Sequence, residues 1–254
     1  MQIPIVMAAF GTTSRAEATY RIINSQIKKA YPGHEIHWSY SSRMIKGLMQ
    51  NKKDISHPRE ILEKLQAQGH EWAVVQSIHL TCGHEFYRLL DDIKDLQIRT
   101  SVGMPLLTSP QDHLHVGECL KPLIQAHKDK AILLMGHGTD HPIWTAYPAF
   151  EQVLRRMFGN RIFIGAVEQS PPSQDLIARI AEAGFTEVLL IPFLLVAGMH
   201  YRDDLMGDAP ESWRSRLLQA GIKTEAIADG IGCLPCICEM YCDHIREALD
   251  VIPI

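Results

Sequence analysis

Apolar and polar residues alternate along the chain in two rhythms. Short apolar runs of strand length are separated by longer stretches whose apolar residues recur every three to four positions, as on one face of a helix. Strands are predicted near 3–10, 35–41, 73–80, 99–104, 131–136, 162–168, 188–195 and 224–228. Helices are predicted near 15–30, 58–68, 84–92, 111–127, 144–158, 173–183, 203–220 and 235–249. This regular alternation is the mark of α/β architecture with parallel sheets. Gly69 and Gly184 each follow a helical pattern and precede a strand, the place for a left-handed helix cap.

The pattern also repeats. Phe10-Gly11-Thr12 near the start corresponds to His137-Gly138-Thr139, 127 positions later, and the same shift pairs Tyr20 with Tyr147 and Ser41 with Glu168. Further on, a shift of 115 pairs Gly69 with Gly184, Gly83 with Gly198 and Phe86 with Tyr201; the segment 43–57 takes up the difference. The expectation is a duplication. Two similar α/β halves, 1–127 and 128–254, each carry a parallel four-stranded sheet flanked by helices. A pseudo-twofold axis relates them, the linker lies near 126–130, and the active site occupies the cleft between them.

Composition narrows the function. With 254 residues, 46% of them hydrophobic, the chain can bury a full core, and a net charge of −4 argues against a nucleic-acid binder working through a basic surface. No apolar run approaches the length of a membrane span. The N-terminus has neither the basic start nor the small-residue site of a signal peptide, so a cytoplasmic protein is expected. There the six cysteines should be thiols. Cys233, Cys236, Cys238 and Cys242 look at first like a cluster motif. Pro235 should open a helix, however, on which Cys236 and Cys238 diverge, so structural thiols are the expectation.

In the second half three residues with metal-binding side chains fall at successive strand ends: His137, Glu168 and His200. Ligands gather at strand C-termini in such sheets, so the three should converge on one divalent ion, at roughly 2.0–2.2 Å per bond. Taken singly, each is more readily a turn-capping residue; the set is what points to a site. Glu85, where a strand gives way to a helix in the first half, is either a helix N-terminal charge or a general base. His141 is a surface residue or a support for His137. Arg15, Arg43, Lys46 and Arg202 follow strand ends and offer cationic partners for an anionic substrate; each alone reads more readily as a solvated charge.

The set Gly136-His137-Gly138, Gln76-Ser77-Ile78-His79 leading to Gly83-His84-Glu85-Phe86-Tyr87, Gly103-Met104-Pro105-Leu106-Leu107, Gly165-Ala166-Val167-Glu168 and Leu194–His200 resembles, in order and spacing, the anaerobic CbiK-type cobalt chelatases of the class II chelatase superfamily. That resemblance implies a chelatase-like fold and ATP-independent insertion of Co²⁺ into sirohydrochlorin or precorrin-2. By it, His137 and His200 handle the metal, Glu168 is a carboxylate ligand and Glu85 assists proton removal. Cofactors other than the substrate ion are not implied, though Fe²⁺, Ni²⁺ or Zn²⁺ suit the same donors. The rival readings are an Fe²⁺ or Ni²⁺ chelatase for a related tetrapyrrole and a non-catalytic metal- or haem-binding protein. The chain is expected to bind neither nucleic acid nor membrane; association into a homo-oligomer is left open.

Overall fold

A computed structural model describes residues 2–11, 16–41, 56–168 and 170–253. In chain order the elements are β1 (Ile5–Ala9), α1 (Ala16–Ala30), β2 (Ile36–Tyr40), α2 (Pro58–Ala67), β3 (Trp72–Ile78), α3 (His84–Ile93), β4 (Arg99–Gly103) and α4 (Pro110–Ala126). They continue with β5 (Ala131–Gly136), α5 (Ala146–Phe158), β6 (Ile162–Ala166), α6 (Leu176–Glu182), β7 (Glu187–Pro192), α7 (Trp213–Gln219), β8 (Lys223–Ala226) and α8 (Pro235–Asp250). The strands form two four-stranded sheets, ordered β2-β1-β3-β4 and β6-β5-β7-β8, with every pairing parallel.

The chain packs as two compact units. The first comprises residues 1–108 and 235–254, the second 109–234. Each central strand is buried on both faces, so β1 reads Ile-Val-Met-Ala-Ala and β5 Ala-Ile-Leu-Leu-Met-Gly without a polar break. In the first unit Val6, Leu62, Val75 and Leu89 form one side of the core. The last helix, α8, closes this unit: Tyr241 is fully buried and its hydroxyl donates to the His79 carbonyl at 3.0 Å. In the second unit Leu133, Phe163, Leu190, Trp213 and Leu217 pack together, and α4 belongs here, packed on α5. Residues 126–130, read from the sequence as the linker, form a turn inside this unit. The Arg161 guanidinium ties that turn by donating to the carbonyls of Ile124, His127 and Lys130.

The duplication is visible in the register. Ile5 pairs with Val74 in the first sheet and Ile132 with Leu189 in the second, as the shifts of 127 and 115 require. The helix ends before β3 and β7 also match, with Gly69 at φ +89° and Gly184 at φ +84°. One pairing is corrected. Ala9 lies opposite Tyr40, and its counterpart Gly136 lies opposite Ala166. The shift for this strand is therefore one residue shorter, and Glu168 corresponds to Ser42, outside the described residues, rather than to Ser41.

Two further expectations change. The helix predicted over 203–220 is a π-helical turn, Tyr201–Leu205, followed by the shorter α7. Pro210, which has no N–H to donate, interrupts the pattern between them. The six cysteines are not all thiols: Cys82, Cys233, Cys238 and Cys242 are free, whereas Cys119 and Cys236 are disulfide-bonded. Cys238 is fully buried on α8 and packs as a small apolar residue.

Candidate metal centre

The site is assembled by three chain segments that leave the C-terminal edge of the second sheet. The first runs Gly136-His137-Gly138 out of β5. A side chain at Gly136 would drive its Cβ to 2.3 Å from the Tyr147 ring, so glycine is needed for α5 to pack this closely. Gly138 has φ +89°, and a Cβ there would meet the Glu168 carbonyl at 1.8 Å. Its N–H donates to the buried Tyr147 hydroxyl at 3.2 Å. The exposed His137 side chain thus stands on a turn pinned from both sides. The second segment continues from β6, and the Glu168 N–H donates to the His137 carbonyl at 3.0 Å, locking the two ligand-bearing loops together. The third segment follows β7 and begins the π-helical turn at His200.

One donor atom from each of His137, Glu168 and His200 lies within 4.8 Å of the other two. Donors that share an ion tetrahedrally at 2.0–2.2 Å stand about 3.3–3.6 Å apart, so modest side-chain rotation closes the set. The imidazoles meet edge to face, ring centroids 4.6 Å apart at 88°.

Hydrogen bonding decides which ring nitrogens are available to a metal. His137 Nδ1 is 3.1 Å from the Gly138 carbonyl, and His200 Nδ1 is 2.7 Å from Asp204 Oδ2. A carbonyl and a carboxylate only accept, so both Nδ1 atoms carry hydrogen and both Nε2 lone pairs are free for a metal. Two neutral imidazoles and one carboxylate would leave a bound divalent ion with net positive charge and fewer protein donors than a closed structural site. Such an ion can be taken up, and it can be given away.

The three side chains singled out from the sequence are thus brought together; Asp204 was not anticipated, and its clue is its position four residues after His200 on a helical turn. His141 caps a 3₁₀ turn, its Nδ1 accepting from the Ile143 N–H at 3.2 Å. The Arg202 guanidinium is matched by the Asp203 carboxylate through bonds of 2.7 and 2.9 Å, which hold the Asp203 carboxyl below its ordinary range. Arg202 is thus a poor partner for a substrate anion. Arg15, Arg43 and Lys46 lie outside the described residues.

Glu85 belongs to the first unit, in the opening turn of α3. Its Oε1 is 2.7 Å from Arg88 Nη1, and its Oε2 is 3.4 Å from the Ser41 hydroxyl. The carboxylate remains about one-third exposed. Among the described residues, His137, Glu168 and His200 are the one group of three or more His, Cys, Asp or Glu side chains arranged to hold a metal. Among the described residues no helix is long and apolar enough to cross a membrane.

The sequence matches the family described as "Cobalt chelatase (CbiK)" over residues 4–250. A sirohydrochlorin cobaltochelatase of Salmonella typhimurium is 28% identical over 260 residues, covering 99% of this chain and 98% of the relative. The sirohydrochlorin cobaltochelatase CbiKC of Nitratidesulfovibrio vulgaris is 28% identical over 257 residues, covering 98% and 91%. Among solved structures, SirB from Bacillus subtilis with Fe³⁺ superposes with a TM-score of 0.63 at 15% identity, covering 98% of this chain and 96% of that one. At that identity the likeness is one of fold.

Proposed function

This chain belongs to the cobalt chelatase (CbiK) family, and from that premise we propose that it inserts Co²⁺ into sirohydrochlorin, with His137, Glu168 and His200 holding the ion before transfer. The observation that carries the reading is the convergence of these three side chains with both Nδ1 atoms already occupied. The two curated relatives named as sirohydrochlorin cobaltochelatases support the substrate.

The reaction exchanges one divalent ion for the two inner N–H protons of the macrocycle. Its needs are a site that surrenders the ion and bases that accept the protons. Three protein donors bind less completely than four, and the macrocycle's four nitrogens outcompete them once two are deprotonated. Glu85 is the base for one proton. An imidazole released as the ion leaves accepts the other. No phosphate chemistry enters, so the insertion is ATP-independent, and the protein works in the cytoplasm. The donors alone do not choose Co²⁺ over Fe²⁺, Ni²⁺ or Zn²⁺, because affinities at such sites follow the metal more than the ligands.

The test is anaerobic incubation with sirohydrochlorin and each of these ions, read by the absorption spectrum. Co²⁺ should convert the spectrum at a rate proportional to enzyme. No acceleration with any ion overturns the proposal.

A further inference from the structure

Beside these three side chains the second unit has an open cavity of about 540 Å³, lined by Glu168, Asp203, Asp204 and Glu211 together with Trp213 and Arg216. Four of its lining residues are carboxylates, which at first suits a cation; of these Glu211 is exposed to solvent, and the other three are engaged by neighbours. Their charges are committed elsewhere. Glu168 is grouped with His137 and His200, Asp204 accepts from His200, and Asp203 is bound to Arg202. Arg216 is different. Its guanidinium carbon lies 4.6 Å from the centroid of the Trp213 ring, and Trp213 is itself buried. Among the described residues no ion pair involves it, although Arg155, Arg179, Arg202 and Arg214 of the same unit are each paired with a carboxylate.

An arginine laid flat on an aromatic ring is positioned with little remaining freedom and keeps its donor edge available. Its planar fork fits a carboxylate with two parallel hydrogen bonds. We infer that Arg216 anchors a peripheral carboxylate of the tetrapyrrole, so that this cavity is a substrate side-chain pocket beside the metal. The inference rests on the chelatase reading and deepens it, since it names the part of the substrate that this pocket recognises. The competing account is structural. Arg216 lies in the last turn of α7, where a cation favours the helix end and shields Trp213.

Equilibrium binding of metal-free sirohydrochlorin, followed by quenching of its fluorescence, separates the two. Arg216→Gln should weaken binding about tenfold or more, the loss expected for one charge-assisted carboxylate contact. Arg216→Lys should fall between the two, and Co²⁺ affinity measured without macrocycle should not change. The fully methyl-esterified macrocycle, lacking the charge, should bind wild type and Arg216→Gln alike. Unchanged binding of the free acid by Arg216→Gln overturns the inference, as does an equal loss for acid and ester. Should Arg216→Gln melt well below wild type, Arg216→Lys carries the same comparison, with a loss for the acid alone supporting the anchor and no loss overturning it. If wild type binds no sirohydrochlorin at all, the chelatase reading falls, and this inference with it.

Discussion

The two units are copies of one frame to which different chemistry has been fitted. In both, the strand at the centre of the sheet ends in a residue followed by a glycine at positive φ, Gly11 at +94° and Gly138 at +89°. In both, a buried tyrosine from the next helix hydrogen-bonds the backbone of that glycine, Tyr20 in one and Tyr147 in the other. The contacts that shape the turn recur, whereas the side chains that leave it do not. His137 corresponds to Phe10, which is half exposed and offers no donor. His200 corresponds to Glu85, and Leu194 corresponds to His79. Among the described residues, the three side chains grouped to hold a metal all lie in one copy. The other keeps the same strand ends and presents a carboxylate whose neighbours are Ser41 and Arg88. On the proposed roles, a duplicated scaffold divides the reaction into ion handling and proton handling without changing its folding contacts.

The strongest test of that division is a matched pair of substitutions. His137→Ala or His200→Ala removes one of three donors and should lower Co²⁺ affinity by at least about 100-fold, since loss of even a supporting group costs about 10–100-fold. Phe10→Ala, at the corresponding turn of the first unit, should leave Co²⁺ affinity unchanged. Calorimetric titration decides it. Equal affinities for wild type and both histidine variants would remove the metal centre.

Next in size is Glu85→Gln, which keeps the shape and removes the basicity. Insertion should slow by about 100-fold, the lower end of what a positioned base contributes, while Co²⁺ binding stays as in wild type. If the carboxylate is only a helix N-terminal charge, stability falls by ~0.3–1 kcal/mol and turnover is intact. Rate, affinity and melting temperature on this one variant separate the roles.

A smaller effect sharpens the metal side. Asp204→Asn keeps the size of the side chain but presents an amide to His200 Nδ1. The imidazole then loses its charged acceptor, and Co²⁺ affinity should drop about tenfold. The Nε2–H tautomer should also gain population in ¹⁵N spectra of the metal-free protein. Unchanged affinity and unchanged tautomer would leave Asp204 with no part in the site.

The sequence pattern revealed the repeat and the three donors because both rest on local rules: strand periodicity, glycine at turns, and ligands at strand ends. It failed where tertiary context decides. Nothing local shows that β2 and β6 differ by one residue in register, which moves the partner of Glu168 from Ser41 to Ser42. The grouping of α8 with the first unit depends on packing between segments over a hundred residues apart, and that of α4 with the second on its packing against α5. The oxidised state of Cys119 and Cys236 is equally remote from local sequence. Arg216 was invisible for the same reason. A basic residue on an amphipathic helix looks solvated until the cavity beside it is seen.

The last contrast between the copies is buried. His79 ends β3 where the second unit has Leu194. Its Nδ1 is 2.8 Å from the Ser77 hydroxyl, and its Nε2 is shielded from solvent with no partner among the described residues. Burial lowers its pKa from 6.5 to about 4, because the charged imidazolium would lose its water. The sign follows from linkage. Between pH 6.5 and 4 the unfolded chain takes up a proton at this residue and the folded chain does not, so folding weakens as pH falls through that window. Above pH 6.5 both forms are neutral and the residue contributes no pH dependence. At pH 5.5 the cost is of order 1 kcal/mol. His79→Leu, which copies the second unit, removes this term. Urea midpoints at pH 7.5 and 5.5 should therefore draw closer together in the variant than in wild type, whatever the variant's own stability. An equal drop in both proteins would show that His79 takes up its proton as readily folded as unfolded.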